Sequence, residues 1–197
     1  YIIYAKISMM LNRVKNIINS GIHYAESYEE SKRILLSNSL ALIFIALSIP
    51  YSVLFYYLES TFMAIMVFPC VSFFSIPILL SYYGKKKYMG LGFISVVAIV
   101  IYFYSSVFGG DAGIQYMLFP LFASTCIMFS KSEKNIRTIS MGVIVFIFML
   151  LELTEYRFFF HEQLSSTTLK WIRLSIIANL FLILIFIVRF QLQIATH

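Results

Sequence analysis

Four charged residues stand out in an otherwise apolar stretch: Glu152 and Glu155, one helical turn apart, and Lys170 and Arg173, spaced the same way. Residues three apart on a helix share one face. Charges of this kind are costly near hydrocarbon and are usually paired or functional. At about 1.5 Å rise per residue, Glu152 lies about 6 Å inside Tyr156, and Arg173 about 6 Å inside Leu169. The depths match if the two segments are antiparallel neighbours, so Glu152 with Arg173, and Glu155 with Lys170, are expected as ion pairs. Such pairs either pin two helices together or form one wall of an outward-facing ligand pocket, since they also supply orienting polar groups. The sequence leaves both readings open.

A second cluster is Phe108-Gly109-Gly110-Asp111-Ala112-Gly113-Ile114-Gln115-Tyr116. Its glycines permit positive φ and a tight reversal. Asp111 is placed to cap the helix that follows. Gln115 and Tyr116 are polar groups at the start of a segment otherwise built from Met, Leu, Phe and Pro. Tyr102, Tyr104, Tyr116 and Trp171 fall on the same side as the charges and would line a pocket there. As a class, the tyrosines, including Tyr51, Tyr56, Tyr57, Tyr82, Tyr83, Tyr88 and Tyr156, read as an aromatic belt at the headgroups. His161 beside Glu162 is a lone loop histidine and is read as solvated, so no metal is expected. Cys70 and Cys126 sit in apolar runs and read as small buried hydrophobes. No phosphate loop, nucleophile elbow, HExxH or zinc spacing is present. No catalytic residue, no cofactor and no nucleic-acid partner are expected.

The elements that must position these residues are membrane spans. The chain has 197 residues, 60% hydrophobic and 12% charged; soluble domains carry about a quarter charged residues. A span needs roughly 20 apolar residues. That length predicts six: about Leu35 to Leu58, Phe62 to Tyr83, Tyr88 to Phe108, Ile114 to Ser130, Ile136 to Tyr156 and Leu169 to Phe190. Short loops make successive spans antiparallel. The expected fold is therefore all-α: a polytopic six-helix bundle (34–190), preceded by an amphipathic helix (1–33) and followed by the start of a signalling helix (191–197). Pro50, Pro69, Pro77 and Pro120 are expected to kink their spans.

Twelve of the 15 basic residues, Lys6, Arg13, Lys15, Lys32, Arg33, Lys85, Lys86, Lys87, Lys131, Lys134, Arg137 and Arg189, fall on one side. The other side holds Arg157, Lys170 and Arg173. The positive-inside rule makes the first side cytoplasmic, with both termini there. Over residues 1–33, Ile3, Ile7, Met10, Val14, Ile17, Tyr24 and Tyr28 follow a 4-3-4-3 spacing interrupted at Gly21. This predicts a helix on the inner leaflet or a dimer-forming segment. The chain lacks an initiator Met and its last helix becomes polar without a stop, so it reads as a fragment whose helix continues.

Taken together, "SKRILLSNSLALIFIALSIPYSVLFYY", "YYGKKKYMGLG", "SVFGGDAGIQYMLFPLFASTCIMFS" and "FIFMLLELTEYR" resemble the six-span N-terminal membrane module of bacterial sensor histidine kinases and membrane-bound adenylate or guanylate cyclases. The resemblance covers residues from about 25 to 197 and rests on Asn38, Gly109, Asp111, Gly113, Tyr116, Phe119 and Glu152. It implies a cell-membrane sensor that anchors a cytoplasmic kinase or cyclase domain, acts as a homodimer and answers a small-molecule or lipid ligand. Two other readings stand beside it. A small transporter or channel would show inverted repeats and mid-bilayer polar groups such as Asn179. A structural anchor or assembly subunit would use every polar pair for packing.

Overall fold

The computed structural model describes residues 2–57, 61–129, 133–156 and 164–195. Among the described residues the regular structure is entirely helical. The long elements are α1 (Ile2–Ile18), α2 (Tyr28–Tyr57), α3 (Thr61–Tyr82), α4 (Lys86–Phe108), α5 (Leu118–Met128), α6 (Lys134–Leu153) and α7 (Ser166–Ala195). Short 3-10 turns occupy Ile22–Tyr24, Gly110–Ala112 and Ile114–Met117. Five helices, α2, α3, α4, α6 and α7, are long and apolar enough to cross a membrane. The chain is thus an all-α protein with the elements of a multi-pass membrane protein.

The expected fourth span is the exception. Its first four residues wind as a 3-10 turn, and only the 11 residues of α5 are α-helical. At about 2.0 and 1.5 Å rise per residue the two cover about 25 Å, short of the roughly 30 Å of a hydrocarbon core. The cause is local: Gly109 (φ 76°) and Gly113 (φ 73°) both take positive φ, and the backbone reverses before α5 can begin. Pro120 is the third residue of α5. A proline is tolerated best in the first turn of a helix. Pro50, Pro69 and Pro77 do lie inside α2 and α3.

By contacts the chain divides into two compact units, Tyr1–Phe93 and Ile94–His197. In the first, α2 starts at a cap in which Ser27 Oγ accepts from the Glu30 N–H (3.2 Å) and the Glu30 carboxylate accepts from the Glu26 N–H (2.9 Å). α2 and α3 pack along their length. Phe44 stacks on Phe74 at 5.1 Å, the Ser52 hydroxyl donates to the Ala64 carbonyl (3.1 Å), and Ile34, Leu36, Leu40, Met63 and Val67 are buried between or beside the two helices. α3 ends in a Schellman cap at Gly84 (φ 68°), with Lys85 N–H donating to Leu80 and Gly84 N–H to Ser81.

The amphipathic pattern of the N-terminal segment runs across Gly21, but the helix does not. α1 stops at Ile18, Gly21 takes φ 82°, and Tyr24 and Tyr28 fall in a 3-10 turn and at the start of α2. Asn38 explains the stop. Its fully buried amide nitrogen donates to the carbonyls of Ile18 (2.9 Å) and Ser20 (3.0 Å), with Ile17 at 3.5 Å. The buried Ser81 hydroxyl donates to Ser20 as well (2.7 Å). The Ile18 carbonyl is one of those that a helix C-terminus leaves without an intrahelical partner, and Ser20 lies two residues beyond it. A Cβ on Gly21 would overlap the Ser81 carbonyl oxygen, so only glycine allows this approach.

In the second unit, α6 buries a narrow stripe of Ser140, Ile144 and Leu151, while Ile139, Val143, Phe146 and Met149 face outward. α7 buries Ile172, Ile176, Ile183 and Ile187 on one face and exposes Phe181, Leu182, Ile185 and Val188 on the other. Helices that present so much apolar surface outward suit a lipid solvent.

Candidate functional site

The glycine turn after α4, the end of α6 and the start of α7 come together in the second unit. Gly109 N–H donates to Ser105 (2.9 Å), and Gly113 N–H to Gly110 (3.1 Å), which holds the reversal. The turn is wedged between two side chains. A Cβ on Gly110 would come within 2.8 Å of the Tyr156 ring, and one on Gly113 within 3.2 Å of Arg173 Cγ. Backbone that must pass this close to packed side chains needs glycine. α7 also packs on both 3-10 turns and on α5.

Gln115 is the polar centre of this cluster. It is 3% exposed, and its Nε2 donates to the Gly110 carbonyl at 3.0 Å. That carbonyl can only accept, so the amide orientation is fixed. Its Oε1 is buried without a hydrogen-bond partner. Ser105 and Ser106, both fully buried near the end of α4, also carry hydroxyl oxygens without partners. Uncompensated buried polar atoms cost about 1–3 kcal/mol each. Ser37 Oγ and Asn38 Oδ1, in the first unit, are buried without partners as well.

α6 ends in a second Schellman cap, with Tyr156 N–H donating to Leu151 (3.0 Å) and Glu155 N–H to Glu152 (3.2 Å). Here no glycine is present: Glu155 (φ 49°) and Tyr156 (φ 60°) are both left-handed. Two consecutive non-glycine residues in that region store strain, which persists only when surroundings over-determine it. The surroundings are visible. The buried Tyr156 ring sits against Gly110, and its hydroxyl donates to the Glu152 carboxylate. Tyr156 lies beyond the end of α6. Burial first, then the hydrogen bond to Glu152, hold its phenol protonated well above the usual tyrosine range.

The expected site residues are thus sorted by the fold. Gln115, Tyr116, Glu152 and Arg173 gather around the turn and Tyr156. Glu152 takes Tyr156 as its partner, not the expected Arg173. The Arg173 guanidinium instead lies 6.0 Å from the centre of the Tyr116 ring. Tyr116 stacks on Phe119, which contacts Phe148. Asp111 is exposed and caps nothing: the N-cap position of α5 is Met117, without a side-chain bond. Glu155, Lys170 and Trp171 are exposed at the rim, and Tyr102 is half-buried on α4. Tyr104 is buried and stacked on Phe108, not placed in an exposed belt. Cys70 is buried as expected, whereas Cys126 is exposed on α5. His161 and Glu162 lie outside the described residues.

Sequence reasoning missed Tyr156, which it took as one belt tyrosine among many, and the serines at 105 and 106. The four-residue spacing of Glu152 and Tyr156, one helical turn, was the available signal for the first. No family model, curated protein or solved structure matches this chain.

Proposed function

We propose that the chain is the sensor module of a cell-membrane receptor, with six crossings, both termini cytoplasmic, and α7 as the moving part. In this reading the 3-10 turn and α5 together make the short fourth crossing. The basic loops face the cytoplasm, and the module works as a homodimer that regulates a kinase or cyclase output domain. A small-molecule or lipid ligand at the outer cluster acts by favouring one of two positions of α7.

One observation carries the reading. α7 packs on both 3-10 turns of the outer cluster and then runs as one uninterrupted helix from Ser166 to Ala195. A displacement at Arg173 is therefore delivered along a rigid rod to the other side of the bilayer. The buried acceptor on Gln115 and the hydroxyls of Ser105 and Ser106 support a ligand rich in hydrogen-bond donors.

The test is a chimera with a dimerisation-dependent kinase domain joined in helical phase after Ala195. Gln115→Leu, Arg173→Ala and Gly113→Ala should each shift kinase output at equal membrane abundance. Output unchanged by all three would favour a structural anchor.

A further inference from the structure

Helix α1 has three bases, Lys6, Arg13 and Lys15, and no acid. Its apolar residues Met9, Met10, Leu11, Val14 and Ile17 are all exposed. A helix of this kind in isolation would say little, but α1 is fixed at one end in a defined place. Asn38 holds its last carbonyl, that of Ile18, and Asn38 and Ser81 together hold the Ser20 carbonyl two residues beyond its end. Asn38 lies within the first turn of the first span and Ser81 within the last turn of the second, as the sequence delimits them. The joint therefore sets the C-terminal end of α1 at the depth where spans meet the membrane surface. Tyr24, just after α1, packs its ring on Gly84, and Lys85, Lys86 and Lys87 follow at once. Arg13 and Lys15 of α1 and Lys85 of that turn thus belong to two neighbouring segments of the first unit.

We propose that α1 lies on an anionic phospholipid surface, gripped by its own apolar side chains and by the bases of α1 and of the turn between α3 and α4. Exposed apolar surface and uniform positive charge on one short helix match the two faces of such an interface. Each base near an anionic surface adds about 1 kcal/mol, which is about fivefold in binding. Because Asn38 couples the end of α1 to α2 and α3, lipid charge would also bias the ends of those spans. This inference shares the membrane reading above but not the sensing reading.

The experiment uses the full chain, with Cys70→Ala and Cys126→Ala, reconstituted in phosphatidylcholine bilayers with or without phosphatidylglycerol. A polarity-sensitive fluorophore is placed at Met10→Cys, with Leu11→Cys as a second position should the first fail to fold. A label at Phe181→Cys, on the outward face of α7, reports insertion independently. The expected result is an α1 emission that shifts to the blue with phosphatidylglycerol and reverts in high salt. Arg13→Gln and Lys15→Gln should each raise the phosphatidylglycerol needed about fivefold. An α1 label that is already apolar in pure phosphatidylcholine and indifferent to salt would overturn the proposal in favour of a second copy of the chain. A label that stays water-like in both bilayers would overturn it outright. If the Phe181 label also reports water, the membrane reading itself has failed.

Discussion

Glu155 and Tyr156 hold left-handed backbone without glycine, and the reason lies in what Tyr156 must reach. Its ring fills the space opposite Gly110 and its hydroxyl meets Glu152. Glu155 contributes an exposed side chain and bears the same backbone cost. Glu155→Gly should therefore raise stability by about 1 kcal/mol, read as reversible unfolding in detergent. Tyr156→Phe should lower it by about 1 kcal/mol, by removing the hydrogen bond that the buried phenol makes to Glu152. The raised phenol also sets a pH dependence. Folded protein retains the Tyr156 proton where an unfolded tyrosine, with a pKa of about 10, loses it. Its contribution is thus fully present below pH of about 10 and declines as pH rises above that. Comparing alkaline unfolding of the wild type with Tyr156→Phe checks this: the variant should lose less stability over the same rise. None of this was legible from residue types alone, because a tyrosine near a span end has a generic role at the headgroups that masks a specific one.

Helix ends explain where the elements agree with the sequence and where they depart from it. The long apolar runs of α2, α3, α4, α6 and α7 were legible because length and composition suffice for them. The break of α1 and the shortening of the fourth segment were not, since both depend on glycines whose neighbours are distant in sequence. Gly21 is needed because Ser81 comes against it, and Gly113 because Arg173 does. Asn38 was noted only through resemblance; its physical role is to satisfy the end of α1 from the middle of the first unit. Asn38→Asp removes both donors and turns a carboxylate toward carbonyls, which should cost about 2–3 kcal/mol. Gly21→Ala should cost at least as much. In both variants, hydrogen exchange should show the last turn of α1 losing protection while α6 and α7 keep theirs. Equal loss everywhere would contradict a local joint.

At the scale of the whole chain, the membrane character was plain from composition, and the fold brings Gln115, Tyr116, Glu152 and Arg173 near the glycine turn. The partner of Glu152 was not legible, because matched depths do not distinguish an arginine from a tyrosine in that role. The proposed role of α7 depends on that cluster and on the helix that leaves it. The most direct test is a distance measurement between spin labels at Gln191→Cys in reconstituted protein, with Cys70 and Cys126 replaced by alanine. The account predicts a dimeric signal whose distance distribution shifts when Gly113→Ala or Gln115→Leu perturbs the outer cluster. A distribution unchanged by both, in protein that is folded and inserted, would contradict it.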